Sequence, residues 1–121
     1  MADPIDRAAL DELVEMTGGD RAFLVDLIDT FVADGEAMIG ELNAALAAGD
    51  DAGLLRPAHS LKSNAASFGA VRLADLCRSV EADAREGVVP EAAARVEAIR
   101  DELATVVSAL RAEKDEAGDG T

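Results

Sequence analysis

A single histidine, His59, stands in the run Ala58-His59-Ser60-Leu61-Lys62-Ser63-Asn64-Ala65-Ala66-Ser67-Phe68-Gly69-Ala70. A neutral imidazole nitrogen is a competent nucleophile, including towards phosphorus. What it can reach depends on its neighbours. At about 100° per residue, Leu54, Ala58, Leu61, Ala65 and Phe68 share one helical stripe. His59 then projects roughly 140° from the centre of that stripe, towards water. The side chains that touch a helical residue lie at +3, +4 and +7, here Lys62, Ser63 and Ala66. Ser63 and Ala66 leave the imidazole open, and Lys62 sets a cation beside it. An open imidazole next to a lysine suits an anion; without that context it would read as an incidental surface histidine.

The charge distribution adds to this reading. The chain carries a net charge of −14, which argues against partners such as nucleic acid or an anionic membrane. From Ala52 to Val80, however, four cations (Arg56, Lys62, Arg72, Arg78) face one acid, Asp75, a local net of +3. Arg56 and Lys62 lie three residues on either side of His59, where an acidic partner surface or a phosphoryl group would need them. A solvated helix charge is the competing account of Arg56.

Much chemistry is missing from the sequence. It contains no Walker-type glycine-rich loop, no paired His or Cys nucleophile and base, and no zinc or iron ligand cluster. The chain is therefore expected neither to bind ATP nor to phosphorylate itself, and to hold no metal. Cys77 has no partner for an internal disulfide and falls in the stripe Leu73, Leu76, Cys77, Val80, as a packed thiol does. The start, Met1-Ala2-Asp3-Pro4-Ile5-Asp6, has neither a basic nor an apolar leader region, and no segment approaches a membrane span. A cytoplasmic protein is expected.

The run around His59 resembles the histidine-containing phosphotransfer (HPt) domains of two-component phosphorelays. Their motif is His-x-Leu-Lys-Gly, followed by small residues and a later Gly-Ala. His59, Leu61, Lys62, Ala65, Gly69 and Ala70 match in register; Ser63 departs from the usual glycine but is still small. The resemblance implies a phosphocarrier rather than an enzyme. His59 would accept a phosphoryl group from a receiver-domain phospho-aspartate and pass it to another receiver aspartate. Lys62 would neutralise phosphoryl oxygens, with Arg56 as a further candidate. Ser63 and Ala66 would give clearance to the partner, and Gly69 would end the third helix so that the fourth can pack. No cofactor is implied on this chain, Mg²⁺ being expected on the receiver. The partners would be receiver domains of response regulators or hybrid histidine kinases. Sequence gives Asn64 no assigned place.

These residues need elements to position them. At 121 residues, half of them apolar, the chain is one domain with one core. Ala, Leu, Glu and Arg favour helix, and the punctuation predicts five. The first begins near Pro4 or Ile5, with Asp3 as its cap, and stops before Gly18-Gly19. Asp20 caps a long second helix, whose stripe is Leu24, Leu27, Ile28, Phe31, Met38, Ile39, Leu42 and Leu46, with Gly35 a weak point; it ends at Gly49-Asp50. The third runs from Ala52 to Phe68 with Pro57 in its first turns, and the fourth from Val71 to Arg85. Pro90 opens the fifth, with Val96, Ile99, Leu103, Val106, Val107 and Leu110 on its buried face.

Four amphipathic helices with short connections predict an all-α, up-down-up-down antiparallel four-helix bundle with a short additional N-terminal helix. It would occupy residues 1–113, leaving 114–121 as a disordered acidic tail. A monomer is expected, because the basic face must stay accessible. The start at Met and the polar end fit a free-standing carrier, although a piece of a larger kinase would look the same. Two other functions stay open: a non-phosphorylated helical adaptor that binds receivers or other signalling proteins, and a metal binder using some of the 25 acids. The latter lacks the Glu-x-x-His spacing of di-metal bundles.

Overall fold

Asp20 opens the long second helix as its sequence position predicts. In the computed structural model, which describes residues 4–119 and the side chains of 4–113, α1 spans Arg7–Met16 and α2 spans Arg21–Ala47. Asp20 Oδ1 accepts from the Phe23 amide at 3.2 Å, satisfying one of the amides that a helix start leaves unpaired.

The start of α1 differs from expectation. Its cap is Asp6, whose Oδ1 accepts from the Ala8 amide at 3.0 Å; Pro4 and Ile5 precede the helix, and Asp3 lies outside the described residues. The reason is tertiary. Ile5 is buried, and the Asp6 amide donates to the Gly69 carbonyl at 2.7 Å. The segment before Arg7 is thereby tied to the turn after the third helix instead of being wound into α1.

That third helix comes in two pieces, a 3₁₀ turn at Ala52–Leu54 followed directly by α3, Leu55–Ser67. Pro57 is the third residue of α3 and is buried. There it removes an amide for which the α-helix has no partner of its own. α4, Val71–Arg85, has the expected bounds. α5, Ala92–Asp119, begins two residues after Pro90 and stays helical past the boundary drawn at 113/114. Of the expected tail, the side chains of 114–119 and all of 120–121 lie outside the described residues.

No strand occurs among the described residues. α3 packs on α4, α2 on α5, and each pair touches the other through α2 with α3 and α4 with α5. Ile28 and Leu42 of α2, Leu61 of α3, Leu73 and Cys77 of α4, and Ile99, Val106 and Leu110 of α5 are fully enclosed between them. The Phe31 and Phe68 rings meet at 4.9 Å between centroids, tilted by 52°, a favourable aromatic arrangement. Not every stripe residue is buried: Leu27, Met38, Ile39, Leu46, Leu76 and Val107 are half-buried at the edge of the core. Gly35 is less a weak point than a close approach. A Cβ there would lie 3.1 Å from Leu103 Cδ2 of α5.

Candidate functional site

The geometry around His59 begins with what holds α3 down. Ala58, Leu61 and Ala65 have no exposed surface, so the face carrying them is fixed against the core. His59, Ser63 and Ala66 project from the opposite side and are exposed. The His59 side chain keeps 57% of its surface open.

Its ring is anchored from α4. His59 Nδ1 lies 2.5 Å from Glu81 Oε2, and Lys62 Nζ donates to Glu81 Oε1 at 2.5 Å. Arg85, one turn further along α4, donates to Oε2 at 3.4 Å. Glu81 is the one buried charged side chain among the described residues. A buried carboxylate is tolerated only when its oxygens are paired, and here both are. The Lys62 hydrogen bond, against the cost of burial and with help from the His59 hydrogen bond and the charges of both partners, holds the Glu81 carboxyl below its ordinary value of 4.5. Glu81 is thus an ionised acceptor. An ionised carboxylate can only accept, so Nδ1 carries a hydrogen, and in the neutral ring Nε2 keeps the lone pair. No described residue bonds Nε2.

On the other side of the ring a shallow depression of about 400 Å³ separates α3 from α2, lined by Asp34, Met38, His59, Ser60, Ser63 and Asn64. This gives Asn64 its place, half-buried in the wall beside the imidazole. A slightly larger groove of about 430 Å³ between α2 and α5 contains none of these groups; chemistry rather than volume selects the site.

The cations are distributed differently from the sequence expectation. Arg72 pairs with Glu102 at 3.3 Å and Arg78 with Asp75 at 2.5 Å, so neither is bonded to His59 or to Glu81. Lys62 is only 26% exposed and is held by Glu81. Arg56 is exposed and has no ion pair among the described residues. The decisive acid, Glu81, lies one residue beyond the basic stretch that ends at Val80, and Arg85 lies further on. A signal for Glu81 was present nevertheless: it stands four residues after Cys77 and eight after Leu73, an acid on the apolar face of α4.

Gly69 ends α3 in the left-handed region at φ +71°, where glycine is at ease. It has a second task that sequence did not reveal. A Cβ there would lie 2.7 Å from Ala9 Cβ and 2.9 Å from the Asp6 carbonyl oxygen, so Gly69 also admits the N-terminal segment. Cys77 is fully buried below the site; burial first, then the nearby Glu81 charge, push its thiol up to about 12 against the opposing pull of Lys62. It is a packing group, as expected.

Among the described residues no three His, Cys, Asp or Glu side chains are grouped to hold a metal ion, and no helix is long and apolar enough to cross a membrane. A family model described as the Hpt domain matches residues 26–112. The chain belongs to the Hpt domain family. The match spans His59, Lys62, Glu81 and Arg85, the whole of the bridged cluster. The Hpt fold is also found in the crystal structure of histidine-containing phosphotransfer protein B (HptB) from Pseudomonas aeruginosa PAO1. The two are similar at 36% identity and a TM-score of 0.86, over 96% of this chain and 98% of that one. Comparison with curated proteins finds no match. Membership assigns a phosphotransfer role in phosphorelays, as a phosphocarrier rather than a kinase, with receiver domains as the general class of partner.

Proposed function

We propose that His59 Nε2 accepts a phosphoryl group from the phospho-aspartate of one receiver domain and passes it to the aspartate of another. The observation that carries this reading is the Nδ1 contact to a buried, ionised Glu81. With the hydrogen on Nδ1, the Nε2 lone pair is directed at the incoming phosphorus. The N–P bond forms as the P–O bond to the donor aspartate breaks, and the electron pair of that bond stays with the departing carboxylate. The ring becomes cationic and keeps its Nδ1 hydrogen, facing a carboxylate that favours that charge. Transfer onward is the same sequence reversed.

Lys62 serves this step through Glu81. Its bond to Oε1 keeps the carboxylate ionised and oriented, and its charge acts on the phosphoryl oxygens from three residues away on the same helix face. Ser63 and Ala66, small and exposed, leave room for the partner's loops, and Arg56 meets acidic groups at the rim. Met38 and Asn64 border the depression beside the ring, where part of the receiver would seat. The carrier is a cytoplasmic monomer with no cofactor of its own, Mg²⁺ belonging to the receiver.

The test is transfer of radiolabel from a phosphorylated receiver to the wild type and to His59→Gln. Acid-labile, alkali-stable label on the wild type alone is expected. Label retained by His59→Gln would overturn the reading. Receiver binding without any labelling would move the function to an adaptor.

A further inference from the structure

Glu81 holds three donors on two oxygens, and it does not hold them equally. Lys62 has Oε1 to itself at 2.5 Å and is mostly covered. His59 Nδ1 is 2.5 Å from Oε2. Arg85 shares Oε2 at 3.4 Å, its side chain 65% exposed, and makes no other ion pair among the described residues. Charge-assisted N–H···O bonds close to about 2.7–2.9 Å when they are strong, so Arg85 is loosely tethered. It is also next to the ring, because guanidinium and imidazole meet on one carboxylate oxygen.

A phosphoryl group on Nε2 would bring up to two negative charges to this edge of α3 and α4. One of the cations has to meet its oxygens directly. Moving Lys62 would strip Oε1 of a buried carboxylate, which is costly. Moving Arg85 gives up one long bond and leaves both Glu81 oxygens occupied. A guanidinium also presents a planar fork of donors that fits two phosphoryl oxygens, which an ammonium lacks. Arg56 is as exposed, but nothing tethers it to the cluster.

We propose that Arg85 is a phosphoryl-binding residue of this site, swinging from Glu81 Oε2 to the phosphoryl oxygens when His59 Nε2 is phosphorylated, while Lys62 remains on Glu81. The inference rests on the phosphocarrier reading above. Arg85 forms hydrogen bonds only; no proton or bond other than the N–P and donor bonds changes. It assigns the second cation of the site to α4, where the sequence motif on α3 does not reach.

The full chain is treated with phosphoramidate, a small donor that needs no docking surface, whose P–N bond breaks to release ammonia as the N–P bond to His59 forms. Rates of phosphohistidine formation and its ³¹P shift are compared for wild type, Arg85→Gln, Arg85→Lys and Arg72→Gln, with thermal unfolding as the check on folding. Arg85→Gln is expected to slow formation about tenfold and to move the ³¹P signal, with Arg85→Lys in between and Arg72→Gln, whose guanidinium pairs with Glu102, unchanged. The ring ¹⁵N shifts of unphosphorylated His59 are expected to stay as in wild type. Wild-type rate and shift in Arg85→Gln would overturn the assignment. So would an equal loss in Arg72→Gln, which would mean general electrostatics, or altered ring ¹⁵N shifts, which would mean action through Glu81. A wild type that takes no phosphoryl group from phosphoramidate or from receivers would overturn the carrier reading itself, and this inference with it.

Discussion

The bundle has two seams that solve the same packing problem in opposite ways. Between α2 and α5 the helices approach by deleting a side chain: Gly35 leaves room that the Leu103 methyls fill at contact distance. Between α3 and α4 a carboxylate, Glu81, enters a position where the stripe Leu73, Cys77, Val80 and Ala84 would otherwise continue. The buried residues of the first seam are all apolar and stabilise the fold through buried area. The second gives up such area to an ionised group that makes sense only through what it holds, His59, Lys62 and Arg85. On the function proposed above, the phosphoryl chemistry belongs to the second seam, and it can be perturbed separately from the packing of the first.

Replacing Glu81 by Leu should break that division most visibly. Nδ1 loses its acceptor and the ring its preferred tautomer, so phosphoryl acceptance should fall by about a hundredfold, the scale of a lost proton-positioning partner. Stability should change by less than about 1 kcal/mol. The substitution removes the buried charge itself, and what makes a broken buried pair costly is a charge left buried without its partner. The partners left behind, Lys62 and His59, reach water. Transfer kinetics and a denaturant titration of the same sample would measure both effects; a loss of several kcal/mol would show that the seam is structural after all.

Leu103→Ala should do the reverse. Leu103 is nearly fully buried and faces a glycine that cannot fill the space. The cost should lie at about 2–5 kcal/mol, read from the denaturation midpoint, with the transfer rate per folded molecule unchanged. A slowed transfer in folded protein would couple the two seams.

The smallest expected effect is on pH dependence. Lys62 hydrogen bonding, then the His59 contact, hold the folded-state Glu81 carboxyl below its ordinary value of 4.5 despite burial. Glu81 ionisation therefore contributes stability that is present in full above about that pH and is lost as pH falls through the lowered folded-state value. The stability difference between wild type and Glu81→Gln should shrink as pH falls below the ordinary carboxylate range. A difference that grows below that range would mean that burial outweighs the pairing and that the sign is wrong.

What could be read from the sequence follows the range of the interactions. The Asp20 cap, the glycine stops, the bounds of α4 and the exposure of His59, Ser63 and Ala66 rest on residues within one or two turns, so periodicity reveals them. The Asp6 cap and the second task of Gly69 depend on a contact between the chain start and the α3–α4 turn, which no local pattern encodes. The same holds for the site. Lys62 was legible as the cation beside His59, whereas its commitment to Glu81 depends on the register of α4 against α3. The expected clustering of cations gave way because Arg72 and Arg78 pair with Glu102 and Asp75 instead. Arg85, from across the seam, joined the cluster instead.

The central claim is that an ionised Glu81 holds the hydrogen on His59 Nδ1 and leaves Nε2 as the nucleophile. The most direct measurement is ¹H–¹⁵N correlation of the ring nitrogens of the single histidine at neutral pH, before and after phosphorylation. The expected result is the Nδ1–H tautomer in the free protein and phosphorus bonded to Nε2 in the phosphorylated one, with the tautomer preference lost in Glu81→Leu. An Nε2–H tautomer in the wild type, or phosphorus on Nδ1, would contradict the claim.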